Sequence, residues 1–199
     1  MVAVASSIYR RQILSKRESL SRSTLLDLSR KIVDNLKDLD EYRMSRIPLI
    51  YVSFRSEVET HPLIRERINK GLEVAVPKTD IPNQRLEIYL LRNWDRDLRL
   101  GAYGVLEPDT RITRRISPSQ LDLILVPGSV FDRRCGRYGY GKGYYDRFLE
   151  EAAHTLRVGL SFDIQLLLEI PLKPHDQRMD IIITETEKLQ CGRSADSKI

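Results

Sequence analysis

The 199-residue chain is poor in the residues that build several familiar functional architectures: two cysteines, three histidines, one tryptophan and three methionines. Two cysteines cannot frame a disulfide-stapled scaffold or a multi-cysteine zinc site, so Cys135 and Cys191 are expected to be free thiols. No stretch approaches the roughly 20 apolar residues that a membrane span requires. The opening MVAVASSIYRR places its charges after a short apolar part, the wrong order for a secretory signal. No Ser-His-Asp or Cys-His pattern announces a covalent nucleophile. Internal repeats, low-complexity tracts and convincing linkers are likewise missing. The expectation is a monomeric, cytoplasmic protein without membrane or nucleic-acid partners, folded as one domain over 1–199 with a flexible tail at 188–199. Its 41% hydrophobic residues suffice for a core and exclude a disordered chain.

What is present is arginine, unevenly placed. Of the 33 basic residues 24 are Arg, the type suited to bidentate recognition of phosphate or carboxylate, and the net charge is +5. Residues 1–50 carry ten Lys/Arg against six Asp/Glu, and 133–147 carry five against Asp146 alone. A global excess of this size is ordinary solvated surface, whereas a local cluster takes its meaning from its context.

Helices are expected over 7–20 and 24–39, the second with Leu25, Leu28, Ile32, Leu36 and Leu39 along one face. Pro48 introduces a strand at 49–53. Thr60 is placed to cap a helix over 61–70 that ends at Gly71. Strands are expected at 72–77, 86–91, 121–127, 157–162 and 179–184, and a polar loop at 93–120. LDLILVP (121–127) has the continuous apolar character of a strand buried on both faces. The alternation of strands and helices predicts an α/β fold, a three-layer arrangement of a mixed, mostly parallel central sheet flanked by helices.

The stretch GRYGYGKGYYD (136–146) lies between the buried strand and a helix starting near Tyr144. Glycines permit positive φ and close backbone approach, so successive N–H groups can form an anion nest. The helix that follows adds its own unpaired N–H groups and the positive end of its dipole. Arg137 and Lys142 bring side-chain charge. The stretch fits G-x-x-x-x-G-K, yet Gly143 stands where a P-loop has its metal-binding Ser or Thr. A Mg²⁺ ion accompanying phosphates would need another oxygen ligand, and Asp146 is the nearest carboxylate. On these residues alone a nucleotide-dependent enzyme, a non-catalytic nucleotide or RNA binder, and an α/β isomerase or transferase acting on a phosphorylated metabolite all remain open.

The block VPGSVFDRRCGRYGYGKGYYDRFL (126–149) resembles the 5-formyltetrahydrofolate cyclo-ligases, also called methenyltetrahydrofolate synthetases. YVSFRSEVET (51–60), VPK (76–78), GAYGVLEP (101–108) and HDQRMDIIITE (175–185) agree in the same order. The resemblance implies ATP- and Mg²⁺-dependent cyclisation of 5-formyltetrahydrofolate, with or without a polyglutamate tail, to 5,10-methenyltetrahydrofolate, ADP and phosphate. It implies ATP contacts from Arg137, Tyr138, Gly139, Tyr140, Gly141, Lys142, Gly143, Tyr144 and Tyr145, with Arg137 and Lys142 as the catalytic cations. Asp146 and Asp176 match its metal-associated carboxylates, and Glu57 matches the carboxylate that holds the reduced pterin. Among the substrate contacts it implies, Val52 falls at a position lining the folate pocket, Glu107 in a turn near the substrate, and Tyr103 where it would stack on the pterin. Relatives place a nucleotide-binding Lys four residues before the first Arg of the N-terminal helix; here that position is Ser6, leaving Arg10 and Arg11 to supply the charge.

Overall fold

The computed structural model describes residues 2–101 and 104–192. Its helices are α1 (Val2–Glu18), α2 (Arg22–Lys37), α3 (Asp40–Met44), α4 (His61–Asn69), α5 (Trp94–Asp97) and α6 (Tyr144–Glu151). The strands begin with β1 (Pro48–Leu49), β2 (Val74–Asp80), β3 (Arg85–Leu91), β4 (Leu98–Leu100), β5 (Leu106–Pro108) and β6 (Arg114–Ile116). They continue with β7 (Leu123–Val126), β8 (Val130–Asp132), β9 (Arg137–Tyr138), β10 (Leu156–Leu160), β11 (Leu166–Leu167), β12 (Ile181–Ile183) and β13 (Lys188–Gln190).

Eight strands form the central sheet in the order β13-β12-β10-β7-β1-β2-β3-β6. The five in the middle, from β12 to β2, pair in parallel, and β13, β3 and β6 add antiparallel edges. The expected mixed, mostly parallel sheet is therefore present. Strand β7 shows why its sequence is apolar throughout. Leu123 and Leu125 join the hydrophobic cluster under α2 and α4, while Ile124 and Val126 join the cluster under α6. Alternation along a strand sends neighbouring side chains to opposite faces, so a strand covered on both sides must be apolar at every position.

A smaller sheet, β11-β8-β9, projects from the carboxyl end of β7. Helix α1 packs on it through Ile13, which joins Val130, Tyr138 and Ile170 in a third cluster. This sheet carries the glycine-rich stretch, and the sequence reading did not foresee it.

Several expectations need correction. Of the strand expected at 49–53 only Leu49 lies in β1; Ile50 still donates its N–H to Ala75 O (2.9 Å), whereas the Ser53 N–H is taken by the Thr60 hydroxyl (3.0 Å). Thr60 precedes α4, but its hydroxyl donates to Tyr51 O (2.6 Å) rather than capping the helix. The polar segment 93–120 is not loop throughout: α5, the β4–β5 hairpin and β6 lie within it. The tail is not free at 188–190, where β13 pairs with β12. The cysteines are not free thiols either; Cys135 and Cys191 form a disulfide with Cα atoms 6.1 Å apart. Composition could not reveal that β13 returns the chain to the turn before the glycine-rich stretch. His61, the first residue of α4, is half-buried against Trp94, with ring centroids 4.9 Å apart. Among the described residues no helix is long and apolar enough to cross a membrane.

Candidate functional site

The glycine-rich stretch is held in place before it holds anything else. Asp132, buried at the end of β8, accepts backbone N–H groups from Arg134 (2.9 Å), Gly136 (2.6 Å) and Ile170 (2.8 Å). One carboxylate thereby fixes the turn that launches the stretch. Gly136 is required there, since a Cβ would lie 2.7 Å from Asp132 Oδ2. At the far end Gly143 adopts φ 68° and passes the chain into α6. Arg147 closes that end by donating to Gln84 O and Lys142 O.

A cavity of about 410 Å³ opens beside this stretch. One side is formed by Arg137, Gly139, Tyr140, Lys142, Tyr144, Tyr145 and Asp146; the other carries Tyr51, Val52, Phe54, Glu57, Leu106 and Glu107. The cavity sits beyond the carboxyl ends of β1 and β7, the usual ligand position in an open α/β sheet. A cationic loop and an apolar, tyrosine-rich hollow therefore share one space.

Not every residue singled out in the sequence faces it. Arg137 does, yet its side chain is only 1% exposed. It donates to Pro127 O (3.0 Å) and to Asp146 Oδ1 (2.8 Å), while its Nε is buried without a hydrogen-bond partner. Lys142 is exposed at the mouth. Tyr138 turns away, its hydroxyl bonded to Pro171 O. Gly141 and Gly143 shape the loop without lining the cavity. Arg10 donates to Gly139 O (2.9 Å) with its guanidinium 5.4 Å from the Tyr138 ring, so it supports the loop from behind. Arg11 is exposed and outside the cavity lining. Tyr103 lies outside the described residues.

The two acidic metal candidates separate. Asp146 lines the cavity, with Oδ1 accepting from Arg137 and from Gln177 N (3.4 Å). Asp176 does not; it closes a turn by accepting the Lys173 N–H (2.8 Å). Among the described residues no group of three or more His, Cys, Asp or Glu could hold a metal. A Mg²⁺ that arrives with phosphates needs only one or two protein carboxylates, so Asp146 alone fits that requirement.

Glu57 is the acid inside the hollow. Its Oε2 accepts the Phe54 N–H (2.9 Å), and the Tyr140 hydroxyl beside the carboxylate favours its charged form. Burial raises its pKa above the ordinary value, and the Tyr140 and Phe54 hydrogen bonds and the charge of Arg17 pull the other way. Tyr51, Tyr140 and Tyr145 are raised as well, first by burial and then by the negative charge of Glu57. The Tyr145 hydroxyl is buried with no hydrogen-bond partner, a donor available to a ligand in the cavity. Glu107 is buried at the rim and accepts the Thr79 N–H (3.2 Å).

Sequence reasoning missed Asp132 and Arg17. Arg17 reaches the cavity from α1, only 3% exposed, and lies seven residues after Arg10 on the same side of the helix. That i, i+7 pair was the available signal.

Comparison with known proteins points to one family. The sequence description of the 5-formyltetrahydrofolate cyclo-ligase family matches residues 3–185. A probable 5-formyltetrahydrofolate cyclo-ligase of Schizosaccharomyces pombe is 30% identical over 168 residues, covering 77% of this chain and 81% of that protein. The Mus musculus 5-formyltetrahydrofolate cyclo-ligase is 28% identical over 185 residues, covering 88% of each. The NMR structure of Aquifex aeolicus 5,10-methenyltetrahydrofolate synthetase matches with a TM-score of 0.84 at 33% identity, over 96% of both chains. A 5,10-methenyltetrahydrofolate synthetase from Mycoplasma pneumoniae shares the fold, with a TM-score of 0.70 at 23% identity over 90% of this chain and 98% of that one.

Proposed function

The chain belongs to the 5-formyltetrahydrofolate cyclo-ligase family, and on that premise we propose that it cyclises 5-formyltetrahydrofolate to 5,10-methenyltetrahydrofolate with ATP as the phosphoryl donor. The observation that carries the reading is the shared cavity, where the loop bearing Lys142 faces an apolar, tyrosine-rich hollow that holds the acid Glu57.

The substrate's chemistry sets the task. A formyl oxygen on an amide-like nitrogen is a poor leaving group until it is phosphorylated. The formyl oxygen attacks the γ-phosphorus and ADP departs. The folate nitrogen at position 10 then attacks the formyl carbon, loses its proton and expels phosphate. Both steps depend on alignment and charge neutralisation rather than on a protein nucleophile.

Lys142 at the cavity mouth is the side-chain cation for the transferring phosphoryl group, and the backbone N–H groups of 139–143 together with the start of α6 cradle the chain of phosphates. Arg137, held between Pro127 O and Asp146, organises the floor of that cradle. Mg²⁺ bound with ATP would offset phosphate charge, and Asp146, which lines the cavity, is the residue placed to hold it, whereas Asp176 lies outside the lining. Glu57 accepts paired hydrogen bonds from the 2-amino pyrimidine edge of the pterin, while Val52, Phe54 and Leu106 pack on the ring system.

An oxygen label tests the sequence of steps. 5-Formyltetrahydrofolate carrying ¹⁸O in the formyl group should deliver that label to inorganic phosphate. Label appearing in water instead would contradict phosphorylation of the formyl oxygen.

A further inference from the structure

We infer that Arg17 is a positioning residue that ties the nucleotide loop to the folate side of the cavity through Tyr140. The inference rests on the functional reading above and names a residue that reading does not use.

Arg17 leaves α1 and spends its guanidinium on both halves of the site. Nε donates to Ser56 Oγ (3.1 Å), on the segment that carries Glu57. Nη1 donates to Gly128 O (3.3 Å), where the chain leaves β7. Nη2 donates to the Tyr140 hydroxyl (3.2 Å), on the glycine-rich stretch. The Tyr140 hydroxyl in turn interacts with the Glu57 carboxylate, so Arg17, Tyr140 and Glu57 stand in one line across the cavity. An arginine 3% exposed is costly to bury unless its donors are satisfied, and here each of its three side-chain nitrogens has a partner. A lysine could not reproduce this fork.

The consequence is orientation. Glu57 must present its oxygens to a planar ligand while water is excluded, and burial opposes its charge. The groups facing it are Arg17 from α1, Tyr51 beyond β1, Tyr140 from the loop and Tyr145 on α6. Arg17 is the cation among them that acts directly on Glu57. Removing it leaves the carboxylate harder to ionise and Tyr140 free to swing away.

The test uses the full chain with Arg17→Gln, Tyr140→Phe, the double variant, and Lys16→Gln as an exposed neighbour on α1. Steady-state kinetics and equilibrium binding of 5-formyltetrahydrofolate are measured together with thermal unfolding. Arg17→Gln and Tyr140→Phe should each raise the folate KM and Kd about tenfold, with kcat little changed, because each removes one link of a charge-assisted chain. The double variant should lose no more than the worse single one. Arg17→Gln should move the acid limb of kcat/KM to higher pH, and Lys16→Gln should change nothing. Tyr140→Phe keeps the question answerable should Arg17→Gln fail to fold. Unaltered folate affinity in either folded variant, or multiplying losses in the double, would overturn the inference. A wild-type protein that binds folate without turnover would sink the functional reading while the Kd series still judges Arg17; wild-type protein that does neither overturns both.

Discussion

At the scale of single residues, the site shows how environment assigns roles that residue type leaves open. Glu57 and Glu59 lie two residues apart in one loop, yet Glu57 lines the cavity while Glu59, outside the lining, pairs with Arg22. Because burial raises the Glu57 pKa, the ionised form is lost at a higher pH than for an ordinary glutamate as the medium is acidified. Folate kcat/KM should accordingly fall on the acid side at a pH above the usual glutamate range. Glu57→Gln should abolish that limb and raise the folate KM roughly 10- to 100-fold, the cost of losing charge-assisted hydrogen bonds. A retained limb would assign the titration elsewhere. Lys142→Ala should instead lower kcat, by about 100-fold or more for an electrostatic contact made in the transition state, which single-turnover kinetics would resolve from ATP binding.

At the scale of elements, the loop is only as good as the turn that launches it. Asp132→Ala would orphan two backbone N–H groups in the β8–β9 turn and a third, that of Ile170, beyond β11. A loss of about 2 to 3 kcal/mol is expected in chemical denaturation, together with weakened ATP binding. Unchanged stability would mean that water replaces the carboxylate. This turn also marks the limit of what the sequence disclosed. Strands such as β7 and β12 were legible because they are apolar at every position, and Gly143 was legible because a strand-to-helix entry at positive φ calls for glycine. The β4–β5 hairpin was not, since LRL and LEP are too short and too polar to carry a period. The site's glycines and acids could be read as motif, whereas Arg17 and Asp132 act through contacts 111 and 38 residues away along the chain. Such partners are set by tertiary packing, and the i, i+7 spacing of Arg10 and Arg17 signals only a shared side of α1. The same reason hid the burial of Arg137, whose position in the motif suggested an open phosphate ligand.

At the scale of the molecule, two long-range ties converge on the site. Helix α1 braces the glycine-rich stretch through Arg10 and Arg17, and the Cys135–Cys191 disulfide fastens the segment after β13 to the turn before it. The bridge spans 56 residues of sequence, which in the chain-entropy picture corresponds to about 4 kcal/mol of restriction on the unfolded chain. Cys191→Ser should lower the Tm by about 10 °C without reductant and leave kcat nearly unchanged, as neither cysteine lines the cavity. Wild type treated with reductant should match it; a Tm indifferent to reductant would contradict the brace.

The central claim is that one cavity brings a phosphoryl donor to a folate. Its most direct test is to mix the purified protein with MgATP and 5-formyltetrahydrofolate and follow the methenyl chromophore alongside ADP. The account predicts one ADP formed for each methenyltetrahydrofolate, with neither produced when either substrate is left out. ADP without the chromophore, or the chromophore without ATP, would contradict it.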